Sequence, residues 1–255
     1  MIGDREKDLL TAANMLLDAR RTGEKLLDLP EELRPTDVQE IYAVHEFLAR
    51  AYGDIGGWKI GAGSAEATPM YAPMPLAWIA AGGTTLSGER FMFRGLEAEI
   101  AFLVGEDLPP RATPYTREEV LAAMASCHPA IEELESAFVD PLTTTRNCQL
   151  ADLQMHGGFI YGSAFADWRQ ADFSKEHVTL AVDGSVRVER TGSNTSGDLL
   201  RLLPYLANEG AARTGGLRRG QWITTGSWTG NTLGFAGSTV DVEFSTAGNV
   251  SLRFA

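Results

Sequence analysis

The sequence predicts an α+β protein in which an N-terminal helical region precedes a body rich in β-strands. Up to Gly53 the apolar residues recur at the spacing of amphipathic helices. Beyond Gly53 short apolar runs alternate with glycine, proline and serine, a texture typical of strands joined by turns. We therefore expect a helical region over residues 1–54 and a strand-rich domain over residues 55–255.

Two helices are predicted before Gly53. The first covers residues 4–22 and ends at Gly23, because glycine commonly follows the C-terminus of a helix. The second follows an N-cap signal in residues 35–39 and continues to Gly53. The residues of its apolar face are Val38, Ile41, Tyr42, His45, Leu48 and Ala49.

The body contains two further helix signals and several strand signals. Residues 116–126 begin with a capping box formed by Thr116 and Glu119, and residues 197–208 are followed by a stop at Gly210. The strands are predicted over residues 178–182, 186–190, 221–225, 239–244 and 250–254.

The charge balance excludes several classes of partner. The chain has a formal net charge of −12, from 34 acidic and 22 basic residues, whereas a nucleic-acid-binding protein needs a basic face. The same charge disfavours an anionic membrane surface, and no apolar run approaches the roughly 20 residues that cross a bilayer. The two cysteines can form one bridge at most, and the first residues lack the apolar core of a signal peptide. We therefore expect a cytoplasmic protein that binds neither nucleic acid nor membrane.

Several familiar catalytic motifs are absent from the sequence. The glycine-rich segments at residues 61–63 and 215–220 complete neither a dinucleotide-binding fingerprint nor a phosphate-binding loop. No serine lies in a Gly-x-Ser-x-Gly motif, and the four histidines are too scattered for a zinc-binding helix. A nucleotide cofactor, a serine hydrolase and a zinc protease are therefore not indicated.

Two glutamates lie close together in residues 95–104. As a strand, this segment places Glu97 and Glu99 on one otherwise apolar face, since side chains alternate between the two faces. Two carboxylates there repel each other and lose hydration, so one takes up a proton or a cation lies between them. Oxygen ligands favour a hard cation such as Mg²⁺, Ca²⁺ or Mn²⁺. The alternative is an edge strand whose glutamate face is hydrated.

A third carboxylate follows the helix predicted at residues 116–126. We expect Pro129 to end that helix, and the apolar pair before Glu132 to place this glutamate inside the structure. Its presence strengthens the case for a metal site. The alternative is a hydrated acidic cluster over residues 132–135.

Two more segments can serve such a site. Lys59 lies in an apolar, glycine-flanked strand, where an unpaired ammonium is costly, so it should face a carboxylate, an anionic ligand or a metal site. The alternative is a lysine that reaches solvent from an edge strand. Residues 224–230 close another strand with hydroxyls and glycines, which either donate hydrogen bonds to a carboxylate or form an ordinary turn.

Taken together and in this order, the segments resemble the fumarylacetoacetate hydrolase superfamily. Within it they resemble the branch of 2-keto-4-pentenoate hydratase and 4-oxalocrotonate decarboxylase. The matching strings are Gly-Trp-Lys-Ile-Gly at 57–61, Leu-Glu-Ala-Glu-Ile-Ala-Phe at 96–102, Pro-Ala-Ile-Glu at 129–132 and Thr-Gly-Ser-Trp-Thr-Gly at 225–230. The N-terminal helices also fit this branch.

The resemblance implies a mixed β-sandwich-like roll behind the helical region, with residues 55–255 as the catalytic domain. The implied cofactor is Mg²⁺ or Mn²⁺, and its ligands would be Glu97, Glu99 and Glu132. Lys59 would act in catalysis beside the substrate, and Ser227 and Thr229 would bind the carboxylate end of the substrate. The branch also implies a homo-oligomer, and a pathway enzyme is a further expected partner.

The sequence departs from this branch in two places. Residues 69–74 contain no acid, whereas the hydratases tend to carry an aspartate after the lysine motif. The stretch Asp-Leu-Gln-Met-His-Gly at 152–157 replaces a pattern of the type Asp-Asn-x-Ala-x-Gly. His156 can exchange protons near neutral pH. We therefore expect it either to contact the substrate in place of the missing acid or only to form a hydrogen bond.

The implied activity is a hydratase that adds water to a 2-hydroxy-alka-2,4-dienoate and yields a 4-hydroxy-2-oxo acid, as in aromatic meta-cleavage catabolism. A divalent cation would stabilise the enolate, and Lys59 would carry protons or hold the C2 oxyanion. The same ligands suit a decarboxylase of the 4-oxalocrotonate type or a hydrolase that cleaves acylpyruvates. A non-catalytic binding or scaffolding homologue is a further alternative. The charges of Glu97, Glu99, Glu132 and Lys59 argue against it, because a decayed site has no reason to retain four costly charges.

Overall fold

The helices and strands follow one another in an α+β order. The computed structural model describes residues 3–88 and 90–255. The α-helices are α1 (Asp4–Thr22), α2 (Val38–Tyr52), α3 (Arg117–Ala122), α4 (Arg146–Ala151) and α5 (Leu202–Tyr205). The strands are β1 (Ile55–Gly61), β2 (Met70–Pro75), β3 (Ile79–Ala81), β4 (Thr84–Leu86), β5 (Gly95–Val104), β6 (Met124–Leu134), β7 (His156–Tyr161), β8 (His177–Val182), β9 (Ser185–Thr191), β10 (Trp222–Thr224), β11 (Thr232–Leu233), β12 (Thr239–Phe244) and β13 (Gly248–Phe254). The predicted α+β class is confirmed.

Two mixed sheets enclose the main hydrophobic core. In the described part of the chain, the larger sheet has the order β2-β1-β10-β5-β6-β7-β3, with β11 paired to β5. The smaller sheet has the order β4-β13-β12-β8-β9. The β5 side chains Leu96, Ala98, Ile100 and Phe102 share one core with apolar side chains of β8, β12 and β13. This layering is the sandwich-like roll that the resemblance implies.

The two N-terminal helices pack on the body beside α4. The predicted cap after α1 forms at Gly23, whose φ of 78° lies in the left-handed region. The side chain of Asp37 accepts hydrogen bonds from two N–H groups in the first turn of α2. The core that both helices share with the body includes Phe138, Cys148, Ala151 and Leu153. The helical region therefore supports α4 and the segment that follows it. None of the described helices combines the length and apolarity needed to cross a membrane.

One predicted helix is shorter than expected and is followed by a strand. The capping box at Thr116 forms, but α3 ends at Ala122 and β6 begins at Met124. Pro129 lies inside β6, so the prediction that it ends a helix was wrong. Residues of β6 pair with β5 and β7 on both sides, and this pairing overrides the local helix signal.

The last helix predicted in the body is irregular. A 3-10 turn at Leu199–Arg201, the short α5 and a π-turn at Leu206–Gly210 follow one another. Gly210 thus lies within the helical segment, whereas the sequence predicted a stop there. A Cβ atom at Gly210 would lie 2.7 Å from the Leu206 side chain, so close packing explains the glycine.

Candidate metal centre

Strand alternation separates the core-facing side chains of β5 from its two glutamates. Ile100 and its apolar neighbours enter the core between the sheets, and Glu97 and Glu99 project from the opposite face. β5 lies between β10 and β6 in the interior of the larger sheet. The edge-strand alternative is therefore wrong, and Glu99 is only 1% exposed.

The register of β5 and β6 brings the third glutamate to this face. Glu132 lies directly opposite Glu97, an arrangement of like charges that destabilises a sheet unless something offsets it. One carboxylate oxygen from each of Glu97, Glu99 and Glu132 lies within 4.8 Å of the others. Glu132 is fully buried, as is Glu133, so the alternative of a hydrated acidic cluster is wrong.

Lys59 joins the cluster from β1. Its Nζ lies 2.8 Å from Oε1 of Glu132 and donates to the Gln154 carbonyl at 3.0 Å. The expectation that Lys59 faces a carboxylate is confirmed. Burial lowers the pKa of the ammonium, but Glu132 and Glu97 more than compensate, so the net pKa is raised. Lys59 is therefore charged at neutral pH.

Glu132 is held at one oxygen and free at the other. Oε1 accepts hydrogen bonds from Lys59 and from Nδ1 of His156 at 2.8 Å. Burial opposes ionisation of Glu132, but Lys59 and His156 outweigh it and lower the pKa to about 2. Among the described residues, buried Oε2 has no hydrogen-bond partner. Glu132 thus offers an ionised oxygen that the protein itself does not satisfy.

The pKa values of Glu97 and Glu99 are raised. Oε2 of Glu99 accepts hydrogen bonds from the Thr224 hydroxyl and from the Gly226 N–H, so residues 224–230 do donate to a carboxylate. Burial and the neighbouring glutamates nevertheless raise the pKa of Glu99 well above its usual value. Burial raises the pKa of Glu97 to about 7, although Lys59 and a hydrogen bond from Ser227 oppose the rise.

The cluster fits a hard divalent cation. All three carboxylates offer oxygen, the element that Mg²⁺ and Mn²⁺ prefer in proteins. The unpartnered Oε2 of Glu132 is a second reason to expect a cation here, because a buried carboxylate oxygen without a partner is costly. A cation among the three oxygens would satisfy it and stabilise the ionised forms of Glu97 and Glu99.

The glutamates and Lys59 line a cavity of about 380 Å³, which we call the metal chamber. Ser227 lines it as well, beside Glu97. The segment 69–74, where the acid expected in the branch is absent, forms β2 and contributes Met70 to the wall. Among the described residues of this wall, only the three glutamates carry carboxylates.

Two residues expected at the substrate lie behind the chamber wall. The Thr229 hydroxyl accepts a hydrogen bond from the Ala98 N–H at 3.1 Å and donates to the Gly230 carbonyl at 3.0 Å. His156 is fully buried; its ring contacts Glu132, and its carbonyl accepts a hydrogen bond from Arg20 at 2.8 Å. Neither residue lines the metal chamber. The structure therefore brings Ser227 to the cavity but not Thr229 or His156.

The segment after α4 supplies a contact that the sequence did not reveal. Arg20 of α1 lies 2.6 Å from Asp152, whose other oxygen accepts a hydrogen bond from the Ala137 N–H at 2.7 Å. The three residues that follow, Leu153 to Met155, have φ values of 49°, 52° and 65°. Left-handed backbone is costly for these residue types. This backbone conformation turns the Gln154 carbonyl toward Lys59.

The sequence is similar to a protein named as a hydratase. The TodF product hydratase of Pseudomonas putida is 27% identical over 264 aligned residues, which cover 96% of this chain and 94% of the hydratase. No family model matches the sequence.

Solved structures show the fold. The 4-oxalocrotonate decarboxylase of Pseudomonas putida, solved with magnesium and adipate, matches with a TM-score of 0.84 at 22% identity over 98% of both chains. A Yersinia pestis protein of the fumarylacetoacetate hydrolase family matches with a TM-score of 0.56 at 16% identity, covering 80% of this chain and 93% of that one. The chain therefore has the fold of the fumarylacetoacetate hydrolase superfamily. The resemblance to its hydratase and decarboxylase branch is confirmed.

Proposed function

We propose that this chain is a divalent-metal-dependent hydratase that converts a 2-hydroxy-alka-2,4-dienoate into a 4-hydroxy-2-oxo acid. The observation that carries the proposal is the cluster of three glutamates, of which Glu99 and Glu132 are buried, with a charged lysine on one cavity wall. The similarity over 96% of the chain to a protein named as a hydratase supports addition of water over the other reactions.

In this proposal Glu97, Glu99 and Glu132 hold Mg²⁺ or Mn²⁺. When bound, the cation acts as a Lewis acid that stabilises negative charge on the oxygens of the substrate. The protein orients the ligands beforehand: Thr224 and the Gly226 N–H fix Glu99. Lys59 and His156 fix one oxygen of Glu132 and leave the other free.

Lys59 is the group that we propose acts on the substrate. An ammonium has three N–H donors, and Glu132 and the Gln154 carbonyl engage two of them. The third can donate to the C2 oxygen of the substrate, where negative charge develops when the dienol becomes an enolate. Ser227, which lines the chamber, is proposed to bind the carboxylate end of the substrate. Thr229 holds the backbone of β5 at Ala98, between the two glutamates of that strand.

An absorbance assay tests the function. We expect the protein to consume 2-hydroxypenta-2,4-dienoate, seen as loss of dienol absorbance without release of CO₂. Activity should disappear after treatment with a chelator and return when Mg²⁺ is added, because the Lys59 ammonium beside the cluster cannot replace a divalent Lewis acid. Release of CO₂ from 4-oxalocrotonate without hydration would favour the decarboxylase alternative. Retention of full activity without any divalent cation would contradict the proposal.

Metal affinity is expected to rise with pH. Without a cation, Glu97 holds a proton below its pKa of about 7, and Glu99 does so below its own raised pKa. Binding must displace these protons, so the affinity increases as the pH rises through this range and levels off above it. Titration calorimetry between about pH 5.5 and 8.5, in two buffers of different ionisation enthalpy, counts the protons released. A pH-independent affinity would show that these carboxyls are not ligands.

His156 is expected to act through Glu132. His156→Ala should weaken metal binding by about 10–100-fold, the usual cost of losing a partner that orients a ligand. His156→Asn should weaken metal binding less than His156→Ala does, because an amide N–H can replace the hydrogen bond that Nδ1 donates to Glu132. Burial lowers the pKa of His156, so neither variant should remove a limb from the pH–rate profile. Loss of such a limb with normal metal affinity would instead support the catalytic role considered from the sequence.

We also propose a homo-oligomer. Leu27, Val139 and Leu142 are 84%, 61% and 69% exposed, which is unusual for large apolar side chains. A bridge between Leu26 and Phe138 brings the first two together. Light scattering of the purified protein measures the number of subunits, and a monomer at micromolar concentration would contradict this part of the proposal.

A further inference from the structure

We propose that Arg146 makes this protein selective for a dienoate whose tail ends in a second carboxylate. This inference rests on the proposed function and adds the class of substrate. Three observations support it. A second cavity lies next to the metal chamber, Arg146 lines both cavities, and the side-chain amide of Gln154, which also lines both, has an unpartnered nitrogen among the described residues.

The second cavity, which we call the tail chamber, has a volume of about 230 Å³. It shares Lys59, Glu97, Arg146, Leu150 and Gln154 with the metal chamber. Its remaining wall is formed by Leu134, Leu142, Gln149, Met155 and Asn231. A substrate whose reacting end lies beside Lys59 can therefore extend its carbon chain along the apolar side chains of the tail chamber.

Arg146 is held in place by a buried glutamine. Its Nη1 donates to Oε1 of Gln149. The amide group of Gln149 in turn donates to the Pro141 carbonyl at 2.9 Å and to the Met155 sulfur at 3.2 Å, which fixes its orientation. A guanidinium carries five N–H donors, so most of those on Arg146 remain available. No described carboxylate lies within 4.0 Å of its nitrogens.

Gln154 places another donor at the same boundary. Its carbonyl is engaged by Lys59, and its side-chain Nε2 is buried without a hydrogen-bond partner among the described residues. The residue lines both chambers. A buried N–H donor without an acceptor is costly in the free protein, and a ligand oxygen at this place removes that cost.

These donors favour a carboxylate over other substrate tails. Arg146 has a planar set of N–H groups that matches two carboxylate oxygens, and Gln154 adds an amide donor. Arg146 is exposed in the free protein, so water can hydrate its guanidinium there. An alkyl tail would fill the apolar wall, but it would displace that water without replacing its hydrogen bonds and would leave the buried Gln154 amide unpaired. A hydroxyl tail would satisfy only one of the donors. The carboxylate at the reacting end is not available to them, because the proposed function places it at Ser227.

The test compares two substrates that share the reacting dienol. We expect the wild-type protein with Mg²⁺ to hydrate 2-hydroxyhepta-2,4-dienedioate with a higher kcat/KM than 2-hydroxypenta-2,4-dienoate. Arg146→Gln should reduce kcat/KM for the dicarboxylate about 10-fold more than for the monocarboxylate, the lower end of the loss expected for a charged hydrogen-bonded pair, because Arg146 is exposed before the tail binds. Arg187→Gln, an exposed change on β9, is the matched control and should leave the ratio unaltered.

A binding measurement makes the result independent of turnover. Calorimetry with saturated dicarboxylates of six and seven carbons, against monocarboxylates of equal length, should show a preference that Arg146→Gln removes. Equal losses for both substrates would place Arg146 at the reacting end and overturn the inference. A wild-type preference for the monocarboxylate would overturn it while the hydratase stands. If neither dienol is hydrated, the proposed function fails, and the binding preference still decides the role of Arg146.

Discussion

Replacing any one of the three glutamates with glutamine is expected to abolish Mg²⁺ binding and turnover together. Each variant removes one negative charge and one oxygen ligand from a cluster whose oxygens lie within 4.8 Å of one another. The affinity should fall by more than about 10²-fold, since even the loss of a group that only orients a ligand costs about 10–100-fold. Titration calorimetry measures the affinity, and the absorbance assay measures turnover.

The stability of the cation-free protein should separate the three variants. The raised pKa values of Glu97 and Glu99 mean that their neutral forms suit the fold, so glutamine at either position should not lower the melting temperature. Glu132→Gln should lower it, because the buried Lys59 ammonium loses its ion-pair partner. A variant of Glu97 or Glu99 that unfolds would contradict this account of the site.

Glu133→Gln is the matched control. Glu133 follows Glu132 along β6 and is equally buried, and burial raises its pKa well above the usual value. An uncharged amide should therefore replace it without loss of Mg²⁺ affinity. If Glu133→Gln weakened binding as much as Glu132→Gln, the effect would come from disturbed packing of β6, and the ligand assignment would fail.

The alternation of strands explains why part of the site was predictable. Glu97 and Glu99 could be placed on one face because the two-residue period of a strand depends only on local sequence. Lys59 could be assigned a carboxylate because an ammonium among apolar residues needs one. Which carboxylate it meets depends on the register of β6, where Glu132 lies opposite Glu97.

The structure beyond these motifs required tertiary information. Among the strands that the sequence does not predict are β2 and β7, since β2 contains two prolines and β7 two adjacent glycines, residues that normally weaken a strand signal. Gly157 of β7 is needed because a Cβ atom there would lie 2.3 Å from Oε2 of Glu133. The five strands predicted in the last third of the chain are present as β8, β9, β10, β12 and β13.

The contacts around Gln154 could not be predicted from local patterns. Its left-handed backbone lies two residues after Asp152, which pairs with Arg20, 132 residues away in the sequence. Arg146 carries no motif either, and only the shared lining of the two chambers reveals its position. Residues positioned by such distant partners give no periodic signal, which is why the substrate-facing part of the site appears only in the folded chain.

Lys59→Met is expected to reduce kcat by about 10²–10⁴-fold while Mg²⁺ affinity is unchanged or higher. The lysine supplies the charged donor for the C2 oxygen beside the glutamate cluster, where its Nζ lies 2.8 Å from Glu132, whereas the guanidinium of Arg146 is hydrogen-bonded to Gln149. The substitution also removes the Lys59 ammonium, a positive charge 2.8 Å from Oε1 of Glu132 that would repel a bound cation. Methionine keeps an unbranched side chain as far as the ε position and lacks only the charged end, so the chamber should retain its shape. Single-turnover kinetics with the dienoate, together with calorimetry for Mg²⁺, separate the two effects.

Lys25→Met controls for the loss of a buried lysine that pairs with a glutamate. The Nζ of Lys25 lies 2.9 Å from Oε1 of Glu135, and its side chain is 13% exposed, close to the 12% of Lys59. Lys25 lines a different cavity, so its replacement can lower stability but should leave kcat within a few-fold of wild type. If Lys59→Met behaved in the same way, Lys59 would have a structural role only. If it instead lost Mg²⁺ affinity in proportion to kcat, the lysine would act by orienting Glu132 rather than on the substrate.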